Sequence, residues 1–577
     1  MSFSFAFNYH FSTFYTIFLS FALISSTPIM IMQFNNYTKP YNPYYSLLSS
    51  SSFPSYDVFG QYSIAPTALN GPTLSDPNLK AQLVFPGSNK GTTSMAFLGP
   101  NDILVLEKNT GKVDRIVNGK ALPKPVLDVA VAPNLSSDGK RYVFLYYTQA
   151  GGNTDRDEFR GLLPPKGNMI YRYEFANGQL INPKLLMQLP ANPGITGRPD
   201  HNGGKLTIGP DGNVYAVIGE VGGHQTQAVN IINGPPPDGT GGILRVTRDG
   251  QSVPNSPFGD KPPLSYYFAY GVRNSFGISF DPVTGKLWDT ENGPNYGDEI
   301  NMVEPGFNSG WTLIQGYAKD SHLGHTNPSD LVRLSTNAKY SDPAFEWADP
   351  VGPTSLVFLN SDKLGAQYKN DMFVGDVNNG NLYHFKLSKD RTKLLYPNGQ
   401  PIENVAITSS QIPLLRFGLG FGGITDLQTG PDGFLYILVN TGSIFRIVPL
   451  SFASANPTLY SLSSLPQGQQ QQQQQISSLP ANTPNKVTIV GVKGLQSFEP
   501  NPINIKVGDT ITWINADVIS HTVTSGKYYD PNTSGKIFNS RGNLTNGVYK
   551  LKFAFPGTFD YFCLFHPDMK GQIIVSR

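Results

Sequence analysis

Short apolar runs recur along most of the chain, each introduced by a turn rich in Gly, Pro, Asp or Asn and followed by a polar turn and another apolar run. The clearest copies are Gly209-Pro210-Asp211-Gly212 before NVYAVIGE and Gly430-Pro431-Asp432-Gly433 before FLYILVNTGSIFRIV. Weaker copies begin at Leu98 (LGPNDILVLEKNTGKVDRIV), Ser136 (SSDGKRYVFLYYTQ), Phe280 (FDPVTGKLWDTENG) and Lys369 (KNDMFVGDVNNGNLYHFKL). These runs are too short for helices and read as strands joined by hairpin turns. A repeat of roughly 60 residues is long for a four-stranded blade but acceptable with insertions, and predicts a six-bladed β-propeller over residues 75–453. A β-sandwich array with recurrent Pro-Asp-Gly turns is the alternative. Residues 486–577 alternate more strictly, in KVTIVGV, NPINIKVGDTITWIN, YKLKFAFPGTFDYFCLF and GQIIVSR, and predict a Greek-key β-sandwich. The fold class is therefore all-β.

Three stretches break the pattern. Phe11 to Met32 is a long uncharged apolar run and reads as a signal peptide or an N-terminal membrane anchor within residues 1–32, hence export, with a buried N-terminal helix as the plainer alternative. Residues 33–74 form a low-complexity tether and lead-in, rich in Asn, Tyr, Pro and Ser. Residues 454–485 hold seven consecutive glutamines, Gln469 to Gln475, between Ser/Pro segments. That stretch has too little apolar surface to fold and is expected to be a flexible linker, with an r.m.s. span of about 30 Å for about 30 residues.

Composition supports strands over helices, with 59 Gly and 47 Pro in 577 residues. Lys and Arg number 43 against 41 Asp and Glu, and no basic run occurs, which disfavours a nucleic-acid partner. The single cysteine cannot form a disulfide within the chain. It lies in Cys563-Leu-Phe-His566-Pro-Asp-Met569, downstream of His521 in VISHTV. A thiolate, two imidazoles and a weak axial thioether are what a blue-copper electron-transfer site needs. Soft sulfur favours Cu(I), imidazole accommodates Cu(II), and little rearrangement separates them. A buried inert thiol and a core methionine would be the bland readings of Cys563 and Met569 taken singly. The whole of residues 486–577, with GDTITWIN, SHTV and YFCLFHPDMKGQIIV, resembles the plastocyanin-type cupredoxin family. The resemblance implies one copper held by His521, Cys563, His566 and Met569, exchanging single electrons with an external acceptor or donor protein.

In the larger part, Asp200-His201-Asn202-Gly203-Gly204 precedes a strand. An imidazole beside a carboxylate suits a general base, while a capping histidine in a Gly-rich turn is the plainer reading. Gly271 to Gly277 (GVRNSFG) and Glu291 to Asn301 (ENGPNYGDEIN) follow, the latter with carboxylates and carbonyls suited to Ca²⁺ or simply to a polar turn. Gly418-Leu-Gly420-Phe-Gly422-Gly423 satisfies a dinucleotide-binding spacing but runs into a strand, so it reads as a connection between blades. Sequons at Asn36, Asn134, Asn532 and Asn543 suit an exported surface.

Across residues 80–450 the phrases DHNGGKLTIGPDGNVYAVIGE, GGILRVTRDG, VRNSFGISFDP, ENGPNYGDEINMVEPGFNSGW and ITDLQTGPDGFLYIL resemble the soluble glucose/sorbosone dehydrogenases, propellers that use pyrroloquinoline quinone (PQQ) and calcium. The resemblance implies that His201 takes a sugar hydroxyl proton, Asp200 orients it, and Arg273 and Asn274 polarise the quinone. It further implies that the carbonyls of Gly293 and Pro294 hold calcium, with Asp298 and Glu299 in another calcium-linked loop. The chain departs from the family where an Arg-x-Arg-Asp stretch grips the cofactor's carboxylates, having Gly423-Ile424-Thr425-Asp426, and where a Lys precedes a Gly, having Asn378 or Asn379. A glutamine of an early blade has no counterpart in Leu122 to Val131. Arg416, Lys205 and Lys369 are the candidate replacements. The readings left open are a sugar-oxidising enzyme feeding the tethered copper, a catalytically silent binding or scaffold propeller with copper as sole redox centre, and a lactonase-like hydrolase.

Overall fold

The computed structural model describes residues 72–87, 91–108, 111–122, 139–149, 165–191, 201–402, 406–408, 410–455, 484–490, 497–515, 521–527, 533–540, 548–563 and 569–577. Asp200, His566, the four sequons, residues 123–131, the segment 1–71 and the linker interior 456–483 lie outside the described residues. The architecture is all-β: among the described residues, six sheets occupy residues 73–449 and two four-stranded sheets occupy 486–576. No described helix is long and apolar enough to cross a membrane.

Each sheet of the larger part takes strands that are mostly consecutive and antiparallel, as short polar turns between apolar runs dictate. Val214–Ile218 and Leu435–Val439 are buried at every position. Continuous burial means cover on both faces, which explains why these runs are uniformly apolar rather than alternating. The innermost strands Ser275–Phe280, Pro353–Phe358 and Ile424–Thr429 lie against one another in succession. Rings such as Trp288, Trp347 and Phe385 fill the space between sheets. The last sheet is ordered Leu79–Pro86, Ser443–Pro449, Leu435–Val439, Ile424–Thr429. Its outer strand thus comes from the beginning of the described chain, in register from Leu79 opposite Pro449 to Pro86 opposite Ser443. Thr73–Leu74 likewise pairs with Gly418 and Leu419, so the sheet system starts just ahead of residue 75.

The two sheets of residues 486–576 show the other pattern. Lys570–Ser576 alternates between buried and exposed or half-buried positions, so each sheet has one face on a shared core around Trp513, Tyr561, Phe498 and Phe538.

Candidate redox sites

The hairpin Leu206–Ile208/Val214–Ile218 pairs Leu206 with Ala216, which carries His201 and Glu220 to the same end of the sheet. There Glu220 Oε1 meets His201 Nδ1, and Glu220 Oε2 accepts the Gly223 N–H. Sequence reading missed Glu220; its signal was the position at the far end of the hairpin that begins at the histidine. His201 takes φ +57°, a left-handed conformation that costs a non-glycine residue strain and fixes where its ring points. Gly203 permits this approach, since a Cβ there would lie 2.6 Å from Val217 O. The His201 side chain is 23% exposed and that of Glu220 only 6%, so the ring reaches solvent while its carboxylate does not.

The same end receives Arg273. Its carbonyl accepts the Glu220 N–H at 2.9 Å, which ties it to the His201 hairpin. Arg273 Nη1 donates to the carbonyls of Asn292 at 2.8 Å and Gly293 at 3.0 Å, and the guanidinium lies over Trp311, 5.1 Å from its ring centre. Asn274 is buried, and its Oδ1 has no hydrogen-bond partner among the described residues. Beneath them Glu291 accepts from the Arg273 amide at 2.5 Å and from Ser309 Oγ at 2.6 Å. Burial raises the Glu291 carboxyl to about 7, although those bonds and the Arg273 charge pull it down.

Gly293 closes a turn so tight that a Cβ would strike the Tyr296 carbonyl, and its N–H donates to Asp298 Oδ1 at 2.9 Å. Asp298 Oδ2 accepts from the Val351 and Gly352 amides at 2.7 and 2.8 Å. Burial still lifts Asp298 to about 6. Glu299 is bonded by Gln315 Nε2, the Gly316 amide and Asn301 Nδ2. Its carboxyl is held well above the usual range by burial and then by the Glu291 charge. Both carboxylates, and the Gly293 carbonyl, are thus already bonded to protein donors, and Pro294 is exposed. Among the described residues no group of three or more His, Cys, Asp or Glu side chains converges as for a metal ion.

The candidate replacements for the cofactor-gripping cations are spread out. Lys205 Nζ is paired with Asp426, itself buried and bonded to Ser355 Oγ and the Met95 amide at 2.9 Å each. Lys369 precedes Met372, which pairs with Phe358, whereas Asn378 follows Asp376, which pairs with Pro353; Lys369 and Asn378 therefore lie at opposite ends of one sheet. Arg416 opens a strand that lies outside Leu382–Leu387, away from the inner strand Pro353–Phe358. His201, Arg273 and Asn274 lie at one end of neighbouring sheets, and Arg273 brings a cation there. The positions Thr425 and Asn378 do not fit the carboxylate-bearing end of PQQ.

In the smaller part, His521, Cys563 and Met569 are fully buried together. Cys563 Sγ lies 3.7 Å from His521 Nδ1 and accepts the Thr522 N–H at 3.3 Å. The Cys563 amide donates to the Met569 carbonyl at 3.1 Å, closing the loop whose interior, with His566, is outside the described residues. An imidazole nitrogen and a thiol sulfur side by side in a buried site fit copper, and Met569 is buried in the same core.

Residues 91–446 match the glucose/sorbosone dehydrogenase family, and residues 485–576 match the copper-binding proteins of the plastocyanin/azurin family. The chain is 25% identical over 380 residues to the aldose sugar dehydrogenase YliI of Escherichia coli, covering 62% of this chain and 89% of that protein. It is 27% identical over 317 residues to quinoprotein glucose dehydrogenase B of Acinetobacter calcoaceticus, covering 50% and 64%. Amicyanin-alpha of Methylorubrum extorquens is 32% identical over 129 residues, covering 22% of this chain and 98% of that protein.

Proposed function

This chain belongs to the glucose/sorbosone dehydrogenase family over residues 91–446 and to the plastocyanin/azurin family over residues 485–576, and from that premise we propose that it is an exported two-part redox protein that oxidises an aldose or similar alcohol with a quinone cofactor and passes the electrons to the tethered type 1 copper. The reading takes the six sheets as blades of a propeller and the two C-terminal sheets as a Greek-key cupredoxin joined by the 454–485 linker. The observation that carries it is the His201–Glu220 pair, held at the sheet end that also bears Arg273 and Asn274.

Glu220 holds the proton of His201 Nδ1, which leaves Nε2 with its lone pair outward to take the hydroxyl proton of the substrate. Such a positioned base contributes about 10² to 10⁴ in rate. Arg273 supplies positive charge where negative charge develops on the acceptor, and its bonds to the Asn292 and Gly293 carbonyls keep it from reorienting. Trp311 covers the guanidinium and limits its access to water. A bound quinone would supply the two-electron acceptor, with Asn274 and Arg273 against its oxygens. Calcium at the Gly293 and Pro294 carbonyls would require Arg273 Nη1 to give up its bond to Gly293. Copper would be held by His521, Cys563, His566 and Met569.

A silent binding propeller is the second reading, favoured by the Lys205–Asp426 pairing and the neutral Thr425 and Asn378, which leave a tricarboxylate without charge-assisted partners there. Titration of the apo-protein with PQQ and calcium, followed by dye-linked sugar oxidation with and without His201→Ala, decides between them. Binding and His201-dependent turnover support the enzyme; no binding at micromolar PQQ favours the silent module.

A further inference from the structure

The loop that carries His201 is also gripped from the neighbouring sheet. In the strands Tyr142–Gln149 and Gly167–Ala176, Thr148 lies opposite Asn168 and Tyr146 opposite Ile170, so Tyr146, Thr148 and Asn168 share one face at one end of that sheet. Farther along the same face, Tyr142, Phe144 and Ile170 pack with Val214, Ala216 and Ile218 of the sheet that bears the His201 hairpin. The apolar seam thus ends in polar side chains, two of which meet Asn202, the residue after His201. Tyr146 Oη donates to the Asn202 carbonyl, and Asn168 Nδ2 donates to Asn202 Oδ1 at 2.8 Å.

Asn168 Nδ2 also donates to the Pro190 carbonyl at 2.9 Å, and Thr148 Oγ1 donates to Asn168 Oδ1 at 2.6 Å. Asn168 is fully buried with its amide nitrogen and its oxygen both engaged, so it cannot turn without breaking all three bonds. Gly204 lets the phenol come close, since a Cβ there would lie 3.3 Å from the Tyr146 ring. Asn202 is therefore held at its carbonyl and at its side chain. His201 needs such a hold, because its left-handed backbone, φ +57°, is disfavoured about 5- to 30-fold for a residue with a Cβ. Glu220 grips the ring from its own sheet, but only while the backbone keeps the ring within reach.

We propose that Asn168 and Tyr146 are positioning residues of the His201 site, acting through Asn202 to keep the imidazole against Glu220 with Nε2 outward. The proposal rests on the reading of His201 as the base that takes a hydroxyl proton. Loss of the clamp leaves the reacting groups in place and lowers only the share of molecules in which they are aligned.

The test compares full-length Asn168→Leu and Tyr146→Phe with Tyr215→Phe, which loses a bond to Asp211 at the other end of the His201 sheet. Nitrogen NMR of the labelled imidazoles, without cofactor or substrate, should show one His201 tautomer, with the proton on Nδ1, in wild type and Tyr215→Phe. In Asn168→Leu and Tyr146→Phe the Nδ1 and Nε2 shifts should move toward each other as the ring samples both tautomers. Dye-linked oxidation of glucose with PQQ and calcium should show kcat down about 5- to 30-fold in Asn168→Leu with KM nearly unchanged, since the base has moved and the binding groups have not. Unchanged His201 shifts in both variants overturn the proposal, whatever the turnover. The same movement in Tyr215→Phe marks a general loosening and overturns it too. If Asn168→Leu fails to fold, Tyr146→Phe, which removes one oxygen, decides alone. Altered shifts in a protein whose wild type shows no His201-dependent turnover support the clamp and overturn the base reading.

Discussion

Replacing Glu220 by Gln changes one atom in shape and reverses the hydrogen-bond logic of the His201 site. The wild-type carboxylate accepts twice, from His201 Nδ1 and from the Gly223 amide, and its side chain is 6% exposed. A glutamine has one oxygen and one NH₂. Gly223 can only donate, so the oxygen must face it and the NH₂ must face Nδ1. Nδ1 then becomes the acceptor and the ring proton moves to Nε2, which converts the base into a donor on the side where substrate would bind. The lost charge-assisted bond is worth about 1.5–3 kcal/mol, and a mis-set tautomer costs a positioned base about 10² to 10⁴ in kcat. Because Gly223 keeps its acceptor, the thermal midpoint should move by only a few degrees. Steady-state dye-linked kinetics, with nitrogen NMR of the imidazole to report the tautomer, measure both. Turnover of Glu220→Gln within threefold of wild type, with the Nδ1–H tautomer retained, would refute the assignment of Glu220 as the positioning residue.

Cys563→Ser should abolish the blue absorbance of copper-loaded protein while the domain stays folded, since serine fills nearly the same buried volume; a blue serine variant refutes the thiolate assignment. Lys205→Met should destabilise by about 3–5 kcal/mol by stranding Asp426 in the interior, and Lys205→Met/Asp426→Leu should recover much of that in denaturant melts; equal loss in both refutes the ion-pair explanation. Asp376 is buried, raised to about 6, and bonded to Tyr383 Oη at 2.6 Å. Because this folded-state value lies above that of an unfolded aspartate, the native state holds a proton the unfolded chain releases, so its contribution is present at low pH and is lost as pH rises through about 4 to 6. Wild type should lose up to about 1.4 kcal/mol per pH unit relative to Asp376→Asn across that window, read from urea midpoints; parallel curves would contradict the shift.

Much of the site was legible because its residues sit in short phrases. Cys563 and Met569 close one loop, so the copper chemistry could be read from spacing within a few residues. His201, Arg273 and Gly293 each open or follow a strand, and hairpin periodicity alone sends them to strand ends. Glu220 was missed because its partner lies across a hairpin, visible only once the pairing register is known. The fate of Lys205 was less legible still: Asp426 is in another sheet, and nothing in either local phrase announces the pair.

Taken alone, the sequence determined the all-β class and the presence of two parts with different family likenesses. These rest on local periodicity, turn chemistry and composition, which act over a few residues. The tertiary structure decided that Glu220 meets His201 and that Arg273 already bonds the Gly293 carbonyl. Each of those depends on strand register and on which strand ends it brings together. Such contacts are set by packing and burial of the whole assembly rather than by any neighbouring phrase.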